Sequence, residues 1–226
     1  VTEIVMTGVA DTRAADARSA LAIQPGQPFL PGTEGETRRR LERFYLDRGF
    51  RSAAVRSNVK TDRNGGNVLT LSVAEGPVSI VNAVAVTGLD ATKPGVADGA
   101  ITLKPGQPAG QQAVSETQKR LYGLGVFRSA VVNFEPATKA QAADAASTPV
   151  DMTVSLEEAR RYQLRYGVQL SNQYGPVLDD FTSAIGVAGD IRDRNFLGRA
   201  FTLGASTRLE KNLQSLRAQF SLPPLL

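Results

Sequence analysis

The residues whose type and spacing could support chemistry are few. They are the adjacent carboxylates Glu157-Glu158 and Asp179-Asp180 and the basic run Arg38, Arg39, Arg40 and Arg43, with Arg48 and Arg51 nearby. Side chains next to one another on an extended chain point to opposite faces, so neither acidic pair converges as an acid and a base must. Asp62-Arg63-Asn64-Gly65-Gly66 is too short for a calcium loop. Histidine and cysteine are absent from all 226 residues, which removes the usual general base and the thiolate nucleophile. Serine and lysine occur without a spacing that would activate a nucleophile. The arginine run has the chemistry to meet acidic lipid headgroups or a client chain, and it equally suits the solvated face of a helix. No enzyme, metal or cofactor is expected, and a net charge of +4 gives no case for nucleic-acid binding.

The elements that carry these residues repeat. Met6-Thr7-Gly8-Val9 returns as Val86-Thr87-Gly88-Leu89, and Pro25-Gly26-Gln27-Pro28 as Pro105-Gly106-Gln107-Pro108. Phe50-Arg51-Ser52-Ala53 returns slightly early, as Phe127-Arg128-Ser129-Ala130. Three matches in order at a spacing of about 80 residues mark a structural repeat. Each copy opens with a strand, Glu3 to Thr7 and Ala83 to Thr87, closed by glycine. A helix follows over Thr12 to Leu21. Its counterpart, Pro94 to Leu103, holds Pro94, Gly95 and Gly99 and is expected to be shorter or looser. Pro-Gly-Gln-Pro then supplies a type II turn.

The second helix starts at Thr33-Glu34-Gly35-Glu36, which has capping-box spacing. Leu41, Phe44, Tyr45 and Arg48 fall at helical steps, with Leu121 and Tyr122 matching Phe44 and Tyr45. Tyr45 with Tyr122, and Phe50 with Phe127, are expected core anchors. A hairpin completes each copy: Ser52 to Thr61 with Asn67 to Ala74 around Asn64-Gly65-Gly66, then Ser129 to Glu135 with Val150 to Leu156. The linker Ala137 to Thr148 is read as a mobile loop. Each copy is therefore β-α-α-β-β, and the fold class is α+β.

After Glu158 the pattern becomes strands alone. Tyr162, Leu164, Tyr166, Val168 and Leu170 alternate with Gln163, Arg165, Gly167, Gln169 and Ser171. Phe181 to Ile191, Phe201 to Leu209 and Leu216 to Leu222 alternate likewise. Turns are read at Gln173-Tyr174-Gly175-Pro176, Asn195 to Arg199 and Glu210-Lys211-Asn212. About ten alternating residues suffice to cross a bilayer at a tilt, and a soluble β-domain gives the same pattern. Val1 to Val5 lack the basic start and apolar run of a signal peptide. No segment is long and apolar enough for a membrane-spanning helix. The chain is read as a piece of a longer protein.

The order, length and Pro-Gly-Gln-Pro turn of the repeats, the Gly-x-Phe step, and Val73-Ala74-Glu75-Gly76-Pro77 together resemble polypeptide-transport-associated (POTRA) domains. Asp193-Arg194-Asn195-Phe196-Leu197-Gly198-Arg199 resembles the turn after the second barrel strand in outer-membrane assembly factors of the BamA/TamA type. The resemblance implies POTRA modules at 1–76 and 77–158, in the periplasm, and the first four or so strands of an outer-membrane β-barrel at 159–226. It implies unfolded outer-membrane or secreted clients, a lipid bilayer, and accessory lipoproteins or an inner-membrane partner. Clients would add a strand to an exposed sheet edge. In that arrangement the edge residues are Ala53, Val55, Ser57 and Val59 in the first copy and Ala130, Val132 and Phe134 in the second. Tyr162, Leu164, Tyr166, Val168 and Leu170 would form the barrel seam, and Asn195, Phe196, Leu197 and Gly198 a turn on the periplasmic side. Two alternatives remain. One is a two-partner secretion transporter, whose plug helix is not seen here. The other is a soluble periplasmic scaffold ending in a small β-domain.

Overall fold

The structure, a computed structural model, describes residues 3–62, 65–137, 146–170, 185–210 and 213–223. The first repeat runs β1 (Glu3–Thr7), α1 (Asp11–Ser19), α2 (Thr33–Asp47), β2 (Ala54–Thr61) and β3 (Asn67–Ala74). The second runs β4 (Val78–Thr87), α3 (Pro94–Ala100), α4 (Gln111–Gly123), β5 (Phe127–Pro136) and β6 (Ser147–Glu158). Then come β7 (Tyr162–Leu170), β8 (Ile185–Phe196), β9 (Phe201–Glu210) and β10 (Leu213–Ser221). The β-α-α-β-β order holds in both copies.

In the first repeat β3 lies between β1, to which it is parallel, and β2, to which it is antiparallel. Its alternate residues Leu69, Leu71 and Val73 are buried, as the two-residue period of a strand dictates. Leu41, Phe44 and Tyr45 of α2 cover them at helical spacing. Tyr45 sits edge-on between Phe44 and Phe50, with ring centroids 5.3 and 5.8 Å away. Such pairs add about 0.5–1.5 kcal/mol each beyond the area they bury. The second sheet has the order β4-β6-β5, the same placement of corresponding strands. The third is a meander, β10-β9-β8-β7.

Local expectations meet several corrections. The capping box is not made. The N-cap of α2 is Gly32, in the left-handed region, with no side-chain cap, so Thr33 lies inside the helix. Its hydroxyl does not cap; Thr33 donates its N–H to the Leu30 carbonyl, and its own carbonyl accepts from the Thr37 hydroxyl. Tyr122 is not a core anchor: it is 47% exposed, while its neighbour Leu121 is fully buried. The second core closes with Leu121 and Leu124, and the tyrosine turns outward, its hydroxyl accepting from the Ala130 N–H. Ala137 donates its N–H to Pro149, and β6 starts at Ser147, so the linker is shorter than expected. Residues 138–145 of that linker lie outside the described residues. So do 171–184, with the Gln173–Pro176 turn, Asp179-Asp180 and the start of the second barrel-like strand. The Pro-Gly-Gln-Pro turns do close, Gln27 N–H to Gln24 and Gln107 N–H to Lys104, both at 3.2 Å.

By compactness the chain forms two units. One is Val1–Ala85 with Thr102–Glu116 and Phe134–Met152; the other is Val86–Ile101 with Thr117–Asn133 and Thr153–Leu226. Parts of the second repeat thus belong to each. Within the first unit, Ser79 donates its N–H to the Gly49 carbonyl at 2.8 Å, and Ala109 donates to Ser79 at 2.9 Å. A side chain at Gly110 would strike the Asp47 carbonyl. The end of α2 is therefore joined by backbone to the start of the second repeat.

Candidate functional site

The strands expected to receive partners all lie at sheet margins. Among the described residues β2 pairs only with β3, and β5 and β7 end their sheets. The two POTRA-like edges differ in what occupies them. Val55, Ser57 and Val59 lie on the inward face of β2, and Arg56, Asn58 and Lys60 stand exposed on its outer face. Ala53 precedes the strand, in a turn where its N–H bonds to Phe50. On β5, however, Tyr122 and Gln118 of α4 occupy the Ala130 backbone. Its N–H donates to the Tyr122 hydroxyl at 3.2 Å, and its carbonyl accepts from Gln118 Nε2 at 2.9 Å. Farther along, the Arg51 guanidinium lies 4.3 Å from the centre of the Phe134 ring, and Val132 between them is half-buried. An incoming strand needs the outward N–H and C=O groups unpaired. At Ala130 both are taken.

The third sheet has two unlike faces. Tyr162, Leu164, Tyr166 and Val168 of β7 are 63–86% exposed, and Val187, Ile191, Leu203, Leu209, Leu216 and Phe220 share their face by register. The backbone of Leu170 pairs with Ile185 at the strand's end.

The 193–200 turn is built within the second unit and is tightly tied. β8 runs on to Phe196, so Asn195 and Phe196 belong to the strand and the turn proper is Leu197–Ala200. Leu197 and Ala200 have positive φ (59° and 58°), as does Gly198 (69°). Side chains rarely adopt this region, so the bonds around the turn must hold it. Asn195, 3% exposed, supplies them: Oδ1 accepts the Ala200 N–H at 3.0 Å, and Nδ2 donates to the Thr92 hydroxyl at 2.8 Å. Asp193 accepts the Asn195 N–H at 3.1 Å and is clasped in two-pronged fashion by Arg161, at 2.8 and 2.9 Å. Lys93 donates its N–H to the Gly198 carbonyl at 2.9 Å. A Cβ on Gly198 would come within 2.6 Å of the Ala91 carbonyl oxygen.

The 90–92 loop that meets this turn is itself organised by Glu158. Its carboxylate accepts the N–H groups of Asp90, Ala91 and Thr92 at 2.8–3.2 Å. The first repeat has the same device. Glu75 accepts the Ala10 N–H at 3.0 Å, the Tyr45 hydroxyl at 3.0 Å, and the Arg13 guanidinium. In both copies the glutamate lies two residues beyond a carbonyl, of Val73 or Leu156, that sits against Gly8 or Gly88 too closely to admit a side chain. Burial pushes the Glu75 carboxyl up, but the hydrogen bonds from Arg13, Ala10 and Tyr45 outweigh it, and the net shift is downward. Glu158 behaves alike: burial raises it, and the Thr92, Ala91 and Asp90 donors bring it below the ordinary value. Burial, followed by the bond to Glu75, pushes the Tyr45 phenol up.

Sequence reading singled out Glu75 and Glu158 without their roles, and missed Thr92, Gln118 and Arg161. One signal was available, a glutamate closing the last strand of both repeats. The others owe their roles to neighbours 12 to 103 positions away, which no local pattern records. Among the described residues no group of three or more acidic side chains could hold a metal, and no helix is long and apolar enough to cross a membrane.

The POTRA family, described as a surface antigen variable number repeat, matches residues 1–76. The chain is similar over its whole length to BamA from Haemophilus ducreyi lacking POTRA domains 1–3, with a TM-score of 0.77, 16% identity, and 40% of that chain covered. POTRA3–5 of Haemophilus influenzae BamA gives a TM-score of 0.52 at 19% identity, over 69% of this chain and 59% of that one. CdiB from Escherichia coli gives 0.50 at 16% identity, over 99% and 39%. No curated protein matches significantly. The chain spans between 39% and 59% of the length of these structures. At such identities the likeness is one of fold. Residues 1–76 match the POTRA family, and the chain as a whole has the α+β fold of the BamA structure, tandem β-α-α-β-β repeats leading into a four-stranded meander.

Proposed function

We propose that this chain is the POTRA-to-barrel segment of an outer-membrane factor that assembles or exports other proteins. Residues 1–76 and 77–158 would be periplasmic modules, and 159–226 would begin the barrel. The observation that carries the membrane part is the third sheet. One face holds ten exposed large apolar side chains and the other is polar, the alternation a bilayer requires. A soluble scaffold would leave that apolar face in water. Four strands are too few to close a barrel, so the proposal concerns the full-length protein.

Client capture is assigned to β2. Its edge has no partner beyond β3 among the described residues, whereas the matching edge of β5 is capped at Ala130. Backbone pairing demands little of client sequence, which suits a factor that serves many clients. Arg56 and Lys60 on the outer face discourage pairing between copies of the same edge. The test is site-specific photo-crosslinking in the full-length protein with a denatured outer-membrane barrel protein as client. A crosslinker at Asn58 is expected to capture client and one at Val131 to capture little. No adduct at Asn58, or equal adducts at both, would reject the assignment.

A further inference from the structure

The polar face of the third sheet carries more than solubility. By register, three neighbouring rows on it are Arg165–Asp190–Ser206–Arg217, Gly167–Ala188–Arg208–Ser215 and Gln163–Arg192–Gly204–Gln219. Four arginines stand in these rows against one carboxylate, and Glu210 lies in the next row, Gln169–Gly186–Glu210–Leu213. Asp190 is ion-paired with Arg192, its Oδ1 3.1 Å from Nε and its Oδ2 accepting from Nη2 at 3.5 Å, while Oδ1 itself accepts no hydrogen bond among the described residues. Arg165 and Arg217, both exposed, have no acidic partner among the described residues. Between the arginines the floor is made of Gly167, Ala188, Ser206 and Ser215, which leave a concavity of about 320 Å³ bordered by Arg165, Arg208 and Arg217. Long cationic side chains over a floor of small residues leave room for an occupant of opposite charge.

We propose that this face is an interaction surface for an acidic stretch of polypeptide. Guanidinium groups favour carboxylates through paired, charge-assisted hydrogen bonds. Strands lie about 4.8 Å apart, so arginines on β7 and β10 are about 14 Å apart at the backbone. That spread suits several separate carboxylates along an extended chain. A single compact phosphate would draw on cations whose backbones stand closer together than this. The proposal rests on the barrel reading, in which the apolar face meets lipid and this face lines the interior. Acidic segments of a passing or inserting client would then be held at the wall, and basic ones repelled.

The test uses the full-length protein reconstituted in phosphatidylcholine vesicles. Flotation with the vesicles reports insertion, and fluorescence anisotropy reports binding of a labelled ten-residue oligoglutamate against an oligolysine of equal length. The protein is expected to float and to bind oligoglutamate preferentially. Arg165→Glu with Arg217→Glu should float equally well and bind about tenfold or more weakly, two charge-assisted contacts being lost. Arg165→Lys with Arg217→Lys, which keeps the charge, should retain most of the binding. A protein that floats but binds both peptides alike, or binds undiminished after charge reversal, overturns this inference and leaves the barrel reading standing. Inorganic phosphate at equal charge displacing the peptide completely would assign a compact-anion site instead. Failure to float overturns the barrel reading and this inference with it.

Discussion

Asn195 joins two backbone segments through one small side chain, accepting from Ala200 with its oxygen and donating to Thr92 with its nitrogen. Asn195→Ala should leave the buried Ala200 N–H without its partner, at a cost of about 1–3 kcal/mol, while the Thr92 hydroxyl loses one donor and keeps its bond to Glu158. Asn195→Asp should be intermediate, since it keeps the acceptor and loses the donor. Thermal unfolding of the detergent-solubilised protein checks both. Glu158 allows a pH test with a definite sign. Its folded value lies below the ordinary 4.5, so as pH falls the unfolded chain takes up the proton first. The stabilisation is therefore complete above the unfolded value and is lost as pH falls through the folded one. Glu158→Gln should lower the melting temperature at pH 7 and make progressively less difference as pH falls below the ordinary 4.5. A difference that grows as pH falls would contradict the assignment. In the sequence Glu158 reads as half of an unremarkable acidic pair, because three of its partners are backbone groups, and backbone groups have no sequence signature. Tyr122 misleads for the same reason. Its spacing matches Tyr45, but its hydroxyl meets the Ala130 N–H at the sheet edge, a backbone partner that spacing does not record.

The elements follow from the sequence more closely than their edges do. Strand β3 and strand β1 match expectation at both ends, because glycine or turn residues bound them and burial forces one register. Strand β8 overruns its expected end, since Arg194 and Asn195 are polar yet remain extended, held by Arg161 and Asp193 across the hairpin. Edges are where sequence stops informing: β2 and β5 have similar patterns, and only α4 side chains make one closed. Tyr122→Phe should therefore expose the Ala130 N–H at small cost in stability, about 1 kcal/mol or less for a half-exposed bond. It should raise client crosslinking at Val131 toward that at Asn58. An unchanged Val131 yield would mean the cap does not govern access. Gly198→Val meets two penalties, a positive φ worth about 1–2 kcal/mol and a collision with the Ala91 carbonyl. It should impair the heat-resistant folded form of the barrel while the 1–76 module unfolds as before.

At the scale of the whole molecule, an apolar sheet face and a polar one must be satisfied by different surroundings. A chain ended at Glu158 should be soluble without detergent, keeping its two packed sheets and both glutamate caps, whereas residues 1–226 should aggregate through the apolar face and the open strand margins. Sedimentation of the two proteins compares them directly, and a monodisperse longer chain would favour the soluble scaffold. The central claim is that the third sheet crosses a membrane with its 197–200 turn on the side of the modules, and the sequence offers a clean probe of it because cysteine is absent. Leu197 is 58% exposed at the tip of that turn, so Leu197→Cys is accessible without touching the buried Asn195. With the full-length protein in intact cells, a membrane-impermeant maleimide should leave Cys at 197 unmodified, and permeabilising the outer membrane should make modification efficient. Efficient modification in intact cells would place the turn outside and contradict the account.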